Sequence, residues 1–283
     1  MLITPLSDGE GQATVGGAGR GFKFFKHMKN IISAGLYFVA FMLIQIVVQG
    51  SAALLFKYMS VSMTSTWLVV INLVSSALTI ALFVWRRWSP FSRDYMQRRQ
   101  WGVFMWSALM ALGVVAPMQL LTETLGLTMP KQTEQLLVQI LSNDWGFLAL
   151  AVAVPLAEEM VFRGAVLRVL LRHFGTRRYW WPIVLSAVLF GAAHGNGVQF
   201  VNATLMGLLL GWLYWRTGSI APGVLFHAVN NSVALVTFRL MPGTHDMTLT
   251  EFFGGDTVRL SLFIVCSFCV FLPSLWQVWR CTK

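Results

Sequence analysis

Six residues of this chain have the types and the spacing to do chemistry, and all six lie in apolar surroundings. The string VPLAEEMVFRG, residues 154–164, carries Glu158, Glu159 and Arg163. Glu159 and Arg163 are four apart, so on a helix they share a face and can form an ion pair. Glu158 is turned by about 100° from Glu159 and has no such partner on its own helix. It needs one from another helix, or a water-filled pocket. The string FGAAH sets Phe190 and His194 one turn apart, and HAVNN does the same for His227 and Asn231. A carboxylate held out of bulk water is a better base than one in solution. An imidazole N–H and a carboxamide can together grip a carbonyl oxygen that is gaining negative charge. Peptide-bond hydrolysis needs these parts: a base for the nucleophile and an oxyanion site. No Ser or Cys stands in the three strings, which favours an attacking water over a covalent nucleophile. Glu158, His194 and His227 could also ligate zinc, although the HExxH string that supplies two ligands from one helical turn is absent.

The elements that must position these residues are membrane helices. The chain has 283 residues, of which 56% are hydrophobic and 11% charged, against about 25% charged in a soluble domain. The expected fold is therefore all-α, a polytopic membrane bundle of about eight transmembrane helices. About 20 apolar residues are needed to cross the hydrocarbon core. Spans are expected near 31–56, 62–85, 101–122, 146–171, 180–196, 198–215, 219–240 and 258–279. The fifth and sixth are short and separated only by GNG, residues 195–197, so a re-entrant hairpin is their alternative form. Residues 132–142 have helical spacing but are too short to span, and are expected to form an interfacial helix. An ionisable residue inside a span costs about 3 kcal/mol unless it is paired or faces an internal cavity. Three polar pairs at turn spacing on three apolar spans therefore point to one shared site. By depth alone His194 falls nearer the far side of the membrane than Glu158 and His227, so tilt or an off-centre fifth span has to bring it level.

The basic residues report orientation. With the N-terminus in the cytoplasm, sixteen of the 21 Lys and Arg fall on the cytoplasmic side, four on the other, and Arg163 within the bundle. This is the positive-inside pattern; it places both termini in the cytoplasm and accounts for the net charge of +10 without nucleic acid. Residues 1–22 are Gly-rich and polar and are expected to be a disordered tail. FKFFKHMK, residues 22–29, alternates basic and aromatic residues and suits an anionic membrane surface. Gly207 and Gly211 make a GxxxG that allows close helix packing in lipid. The cysteines, Cys266, Cys269 and Cys281, form no metal-ribbon pattern and are expected to be small buried hydrophobes.

The motifs EExxxR, FxxxH and HxxxN, in that order on consecutive apolar helices, resemble the CPBP family of intramembrane endopeptidases, which includes the CAAX prenyl proteases and the bacterial Abi proteins. The resemblance covers roughly residues 145–240. It implies an eight-helix, CAAX-protease-like fold. It also implies a glutamic-type hydrolase in which Glu158 and His194 activate water, His227 and Asn231 stabilise the oxyanion, and Glu159 and Arg163 support the site. No cofactor is then required, with a zinc metallopeptidase using the same residues as the alternative. The expected partners are a peptide or membrane-protein substrate and the lipid bilayer. The expected organisation is a cytoplasmic tail with a basic juxtamembrane segment (1–30), the first membrane helices and the interfacial helix (31–144), a catalytic core (145–240), and an extracytoplasmic loop with the final span (241–283). A bacterial inner membrane is the expected location, with an ER membrane as the alternative. A proton-coupled transporter and a non-catalytic membrane or immunity partner are the rival functions, because intramembrane acids and histidines also mark proton paths.

Overall fold

A computed structural model of the chain describes residues 18–90, 100–175, 178–241, 243–244 and 247–283, with side chains from residue 30 onward. The described residues form helices: α1 (Ala18–Tyr58), α2 (Ser65–Trp85), α3 (Trp101–Thr124), α4 (Lys131–Ser142), a continuous segment α5 (148–174), α6 (Trp180–Ala192), α7 (Gly197–Thr217), α8 (Ala221–Leu240), α9 (Leu249–Phe252) and α10 (Thr257–Cys281). Six are long and apolar enough to cross a membrane: Asn30–Tyr58 within α1, then α2, α3, α7, α8 and α10. Of the about eight spans expected, these six are present; α6 is a shorter apolar helix, and α5 runs in consecutive π- and α-helical segments. The expected tail of residues 1–22 lies outside the described residues up to residue 17. Helix α1 already starts at Ala18, so residues 18–22 of the expected tail are helical.

Helix α5 is the axis of the bundle. All eight residues from Met160 to Leu167 are buried. A helix that is apolar on every side belongs inside a bundle, and the ring of Phe162 meets Phe38 and Phe41 of α1 and Phe190 of α6. The segment is not a plain α-helix. It runs as a π-helix over Leu148–Ala153, an α-helix over Val154–Glu159, a second π-helix over Met160–Leu167 and an α-helix over Arg168–Phe174. The chain widens its turns. Val154 N–H bonds the Ala149 carbonyl, five residues back. In the same register the Leu150 carbonyl would meet Pro155, which has no N–H to give.

Helix α6 corrects the expected fifth span. It ends at Ala192 rather than near 196, and its 13 residues reach only about 20 Å at 1.5 Å per residue. Gly195, with φ +71°, turns the chain, and Asn196 caps α7 by accepting from Gln199 N–H at 3.0 Å. So His194 lies in the α6–α7 turn, just past the end of α6, and is half-buried there. The GxxxG of α7 does the packing work expected of it. A Cβ on Gly207 would lie 2.9 Å from the Ala187 Cα, and one on Gly211 would lie 2.9 Å from Ile183 Cγ2. Gly207→Val is expected to lower stability by about 1–3 kcal/mol, the usual penalty for overpacking, read as an earlier melting midpoint in detergent. An unchanged midpoint would show that the helices can part at no cost.

The cysteine expectation fails. Cys266, Cys269 and Cys281 are all exposed. Helix α10 buries only Ser274 and Val278, so most of its circumference faces lipid, where a thiol is as much at home as in a core.

Candidate active site

The site is built on α5, α6 and α8. Glu159 and Arg163 form the i, i+4 ion pair, Arg163 Nη1 to Glu159 Oε1 at 2.7 Å, with both side chains at or below 1% exposure. Arg163 also lies over the Phe190 ring, its Cζ 4.4 Å from the centroid, which gives the guanidinium a second source of stabilisation where water is excluded. Gly223 of α8 makes room for this pair: a Cβ there would lie 3.0 Å from Glu159 Oε2.

His227 joins the two glutamates. Its Nδ1 is 3.3 Å from Glu159 Oε1, and its Nε2 is 3.7 Å from Glu158 Oε2. A carboxylate only accepts, so Nδ1 carries a proton toward Glu159. The Nε2–Glu158 contact is attractive when one proton sits on either of those two atoms, or when a water bridges them. His227 is buried at 3% exposure, whereas the Glu158 side chain keeps 14%. Glu158 is therefore the open carboxylate of the pair.

His194 is fixed by its own helix. Its Nδ1 is 2.9 Å from the Phe190 carbonyl oxygen. A carbonyl can only accept, so Nδ1 is the protonated nitrogen and Nε2 of the neutral ring is left as an acceptor. The Phe190 ring meets His194 edge-on at 5.1 Å and His227 at 5.8 Å. Phe190 thus touches Arg163, His194 and His227 at once, so the two histidines that depth alone set apart meet the same ring.

Glu158 and His194 line one cavity of about 280 Å³, whose other walls come from α1 and α2 through Phe41, Met42, Gln45, Gln49, Asn72 and Ser76. The sequence reading missed this wall. Its signal was present, because Gln45 and Gln49 on one apolar span and Asn72 and Ser76 on the next repeat the same turn spacing that picked out the other pairs.

Asn231 is held differently from His227. Its Nδ2 donates to the Leu150 carbonyl at 2.8 Å, the carbonyl that Pro155 leaves without a backbone donor. One amide hydrogen is thereby engaged and one remains. Ser186 of α6 does a similar service in the second π-helix, donating to the Phe162 carbonyl at 3.0 Å. Among the described residues no group of three or more His, Cys, Asp and Glu side chains is disposed to hold a metal ion. Glu159, the nearest third donor to Glu158 and His227, is already bonded to Arg163.

The comparisons with curated proteins and with solved structures gave no match. A family model does match: residues 141–233 fit the type II CAAX prenyl endopeptidase Rce1-like family. That stretch contains Glu158, Glu159, Arg163, His194, His227 and Asn231, so the part of this polytopic membrane chain that carries the candidate site is similar to the type II CAAX prenyl endopeptidase family.

Proposed function

We propose that the chain is an intramembrane endopeptidase whose nucleophile is water. The observation that carries this reading is the meeting of Glu158 and His194 on one cavity, with His227 Nε2 3.7 Å from Glu158. In the proposed reaction a water in the cavity gives a proton to the Glu158 carboxylate and directs its other hydrogen to His194 Nε2. The hydroxide so formed adds to the substrate carbonyl carbon. His227, in its imidazolium form with Nδ1–H on Glu159, donates Nε2–H, and Asn231 donates its remaining N–H, to the oxygen that becomes negative. Glu158 then passes its proton to the leaving amine as the C–N bond breaks. Glu159 and Arg163 touch no substrate in this scheme. They hold the His227 ring so that Nε2, and not Nδ1, faces the reaction.

The substrate class follows the family's description, a peptide ending in a prenylated CAAX sequence. The membrane-water boundary on the side of the C-terminus is marked by Arg86 against Trp85 and Trp88, Arg216 against Trp215, Arg280 against Trp276 and Lys283 against Trp279. Such aromatic and basic belts form at bilayer interfaces, and with the positive-inside pattern they support termini in the cytoplasm.

The test uses purified chain in nanodiscs and a quenched fluorescent peptide ending in a farnesylated CAAX sequence. Cleavage is expected, and it is expected to persist after exhaustive chelation. Activity that is lost on chelation and restored by zinc would overturn the water mechanism in favour of a metallopeptidase. No cleavage of the farnesylated peptide or of its unprenylated form would overturn the peptidase reading itself.

A further inference from the structure

We propose that the cavity wall formed by α1 and α2 is a binding edge for the backbone of the substrate, with Asn72 accepting from a substrate N–H and Gln45 donating to a substrate carbonyl. This rests on the endopeptidase reading and names what the cavity takes: an unwound stretch of peptide. Gln45, Gln49 and Asn72 line the same cavity as Glu158 and His194. Carboxamides on apolar membrane helices ordinarily serve as glue between helices. Here they do not: among the described residues, Gln49 bonds only Gln45 at 3.2 Å and Asn72 bonds only Leu68 O at 2.8 Å. Their hydrogen bonds stay on their own helices, which leaves the helix-to-helix role unfilled.

The chemistry of what remains free is specific. Asn72 donates to a carbonyl, so the orientation of its amide is settled by that bond and its Oδ1 is left as an acceptor. The Gln49 bond uses the Gln45 oxygen, so the Gln45 Nε2 keeps both hydrogens. One free acceptor and one free donor are the complement of a peptide unit, which offers one N–H and one C=O. A helical substrate has those groups bonded internally, as every membrane-spanning helix must. Only an unwound segment can reach the wall, and an unwound segment is also what presents a carbonyl to the water at Glu158. Phe41, Met42 and Ile46 lie beside the two glutamines on the cavity side of α1 and offer apolar contact to the side chains of that segment. Ile46 is 61% exposed, so this edge of the cavity borders the bilayer, and a lipid-anchored peptide can enter from there.

The experiment removes the substrate half of the bond as well as the protein half. The probe is the farnesylated quenched peptide above, with a set of analogues in which one backbone N–H at a time, away from the cleaved bond, is replaced by an ester oxygen. Asn72→Leu is expected to raise KM about 3- to 10-fold, the range for one lost neutral hydrogen bond, with a far smaller change in kcat. One ester position is expected to raise the wild-type KM by a similar factor and to add nothing further in Asn72→Leu. At that position the two proteins then cleave with equal KM, which also shows that the variant is folded; Asn72→Ala should repeat the pattern. Ester and side-chain effects that multiply at every position would overturn the binding edge while leaving the peptidase reading intact. A wild type that cleaves no peptide would overturn both.

Discussion

Glu158→Gln is expected to lower the rate of peptide hydrolysis by about 10³-fold, within the range for loss of a general base. The amide has the shape of the carboxylate, and its one oxygen can still face His227 Nε2 across the 3.7 Å contact. What it loses is the ability to take the proton of water. The fall is therefore expected in kcat, with KM little changed and the melting midpoint within about 2 °C of wild type, near the 2–4 °C per kcal/mol of a chain this size. The contrast is Glu159→Gln one residue on. Glu159 faces Arg163 and His227 Nδ1, away from the cavity, so its loss acts on stability and on the orientation of the imidazole. A Glu158→Gln protein that cleaves at the wild-type rate would sink the role of Glu158 as base, whatever else the site does.

Arg163→Met carries the largest expected effect on stability. The guanidinium is 1% exposed and its one carboxylate partner is fully buried. Two of its nitrogens, Nε and Nη2, have no hydrogen-bond partner, so the Glu159 bond and the Phe190 ring supply most of what replaces water. Removing one member of a buried pair costs about 3–5 kcal/mol, because the other charge stays behind in an apolar site. The midpoint in detergent is expected to fall by about 10 °C, at the 2–4 °C per kcal/mol of a chain this size. The double variant, Glu159→Gln with Arg163→Met, is expected to recover a good part of the loss. No charge is then stranded, and the Gln oxygen still accepts from His227 Nδ1. The coupling between the two positions, read from the two singles and the double, is the measurement. Additive effects, each small, would mean that the pair holds nothing in place and that the Phe190 contact alone orients Arg163.

The two variants also separate two kinds of residue that the sequence set side by side. Adjacent glutamates on one helix differ by a rotation, and that rotation decides that one meets a cation while the other meets a cavity. The spacing of Glu159 and Arg163 was enough to read their ion pair, because an i, i+4 contact is made within one turn and needs no other helix. The same holds for Phe190 with His194, whose Nδ1 bond to the Phe190 carbonyl is again local. His227 and Asn231 show where local spacing stops. Their turn spacing implied one shared target, but in the folded chain His227 reaches the two glutamates and Asn231 reaches the Leu150 carbonyl. Which groups those side chains meet depends on the neighbour that packs against α8, and on a carbonyl freed by Pro155 five residues further along α5.

The sequence by itself determined the membrane class, the approximate spans, the local pair on α5 and the residues that carry the family resemblance. Each of these is written in composition or in contacts within one helical turn. Only the tertiary structure decided the π-turns around the glutamates, the meeting of Glu158 and His194 on one cavity, the exposure of the α10 cysteines, and the polar wall of α1 and α2. Those depend on how helices distant in the chain lie against one another, and in lipid that is settled by close packing at small residues such as Gly207 and Gly223 and by the pairing of buried polar groups. A hydrophobic pattern registers that a helix is in the membrane; it does not register which of its faces meets which neighbour.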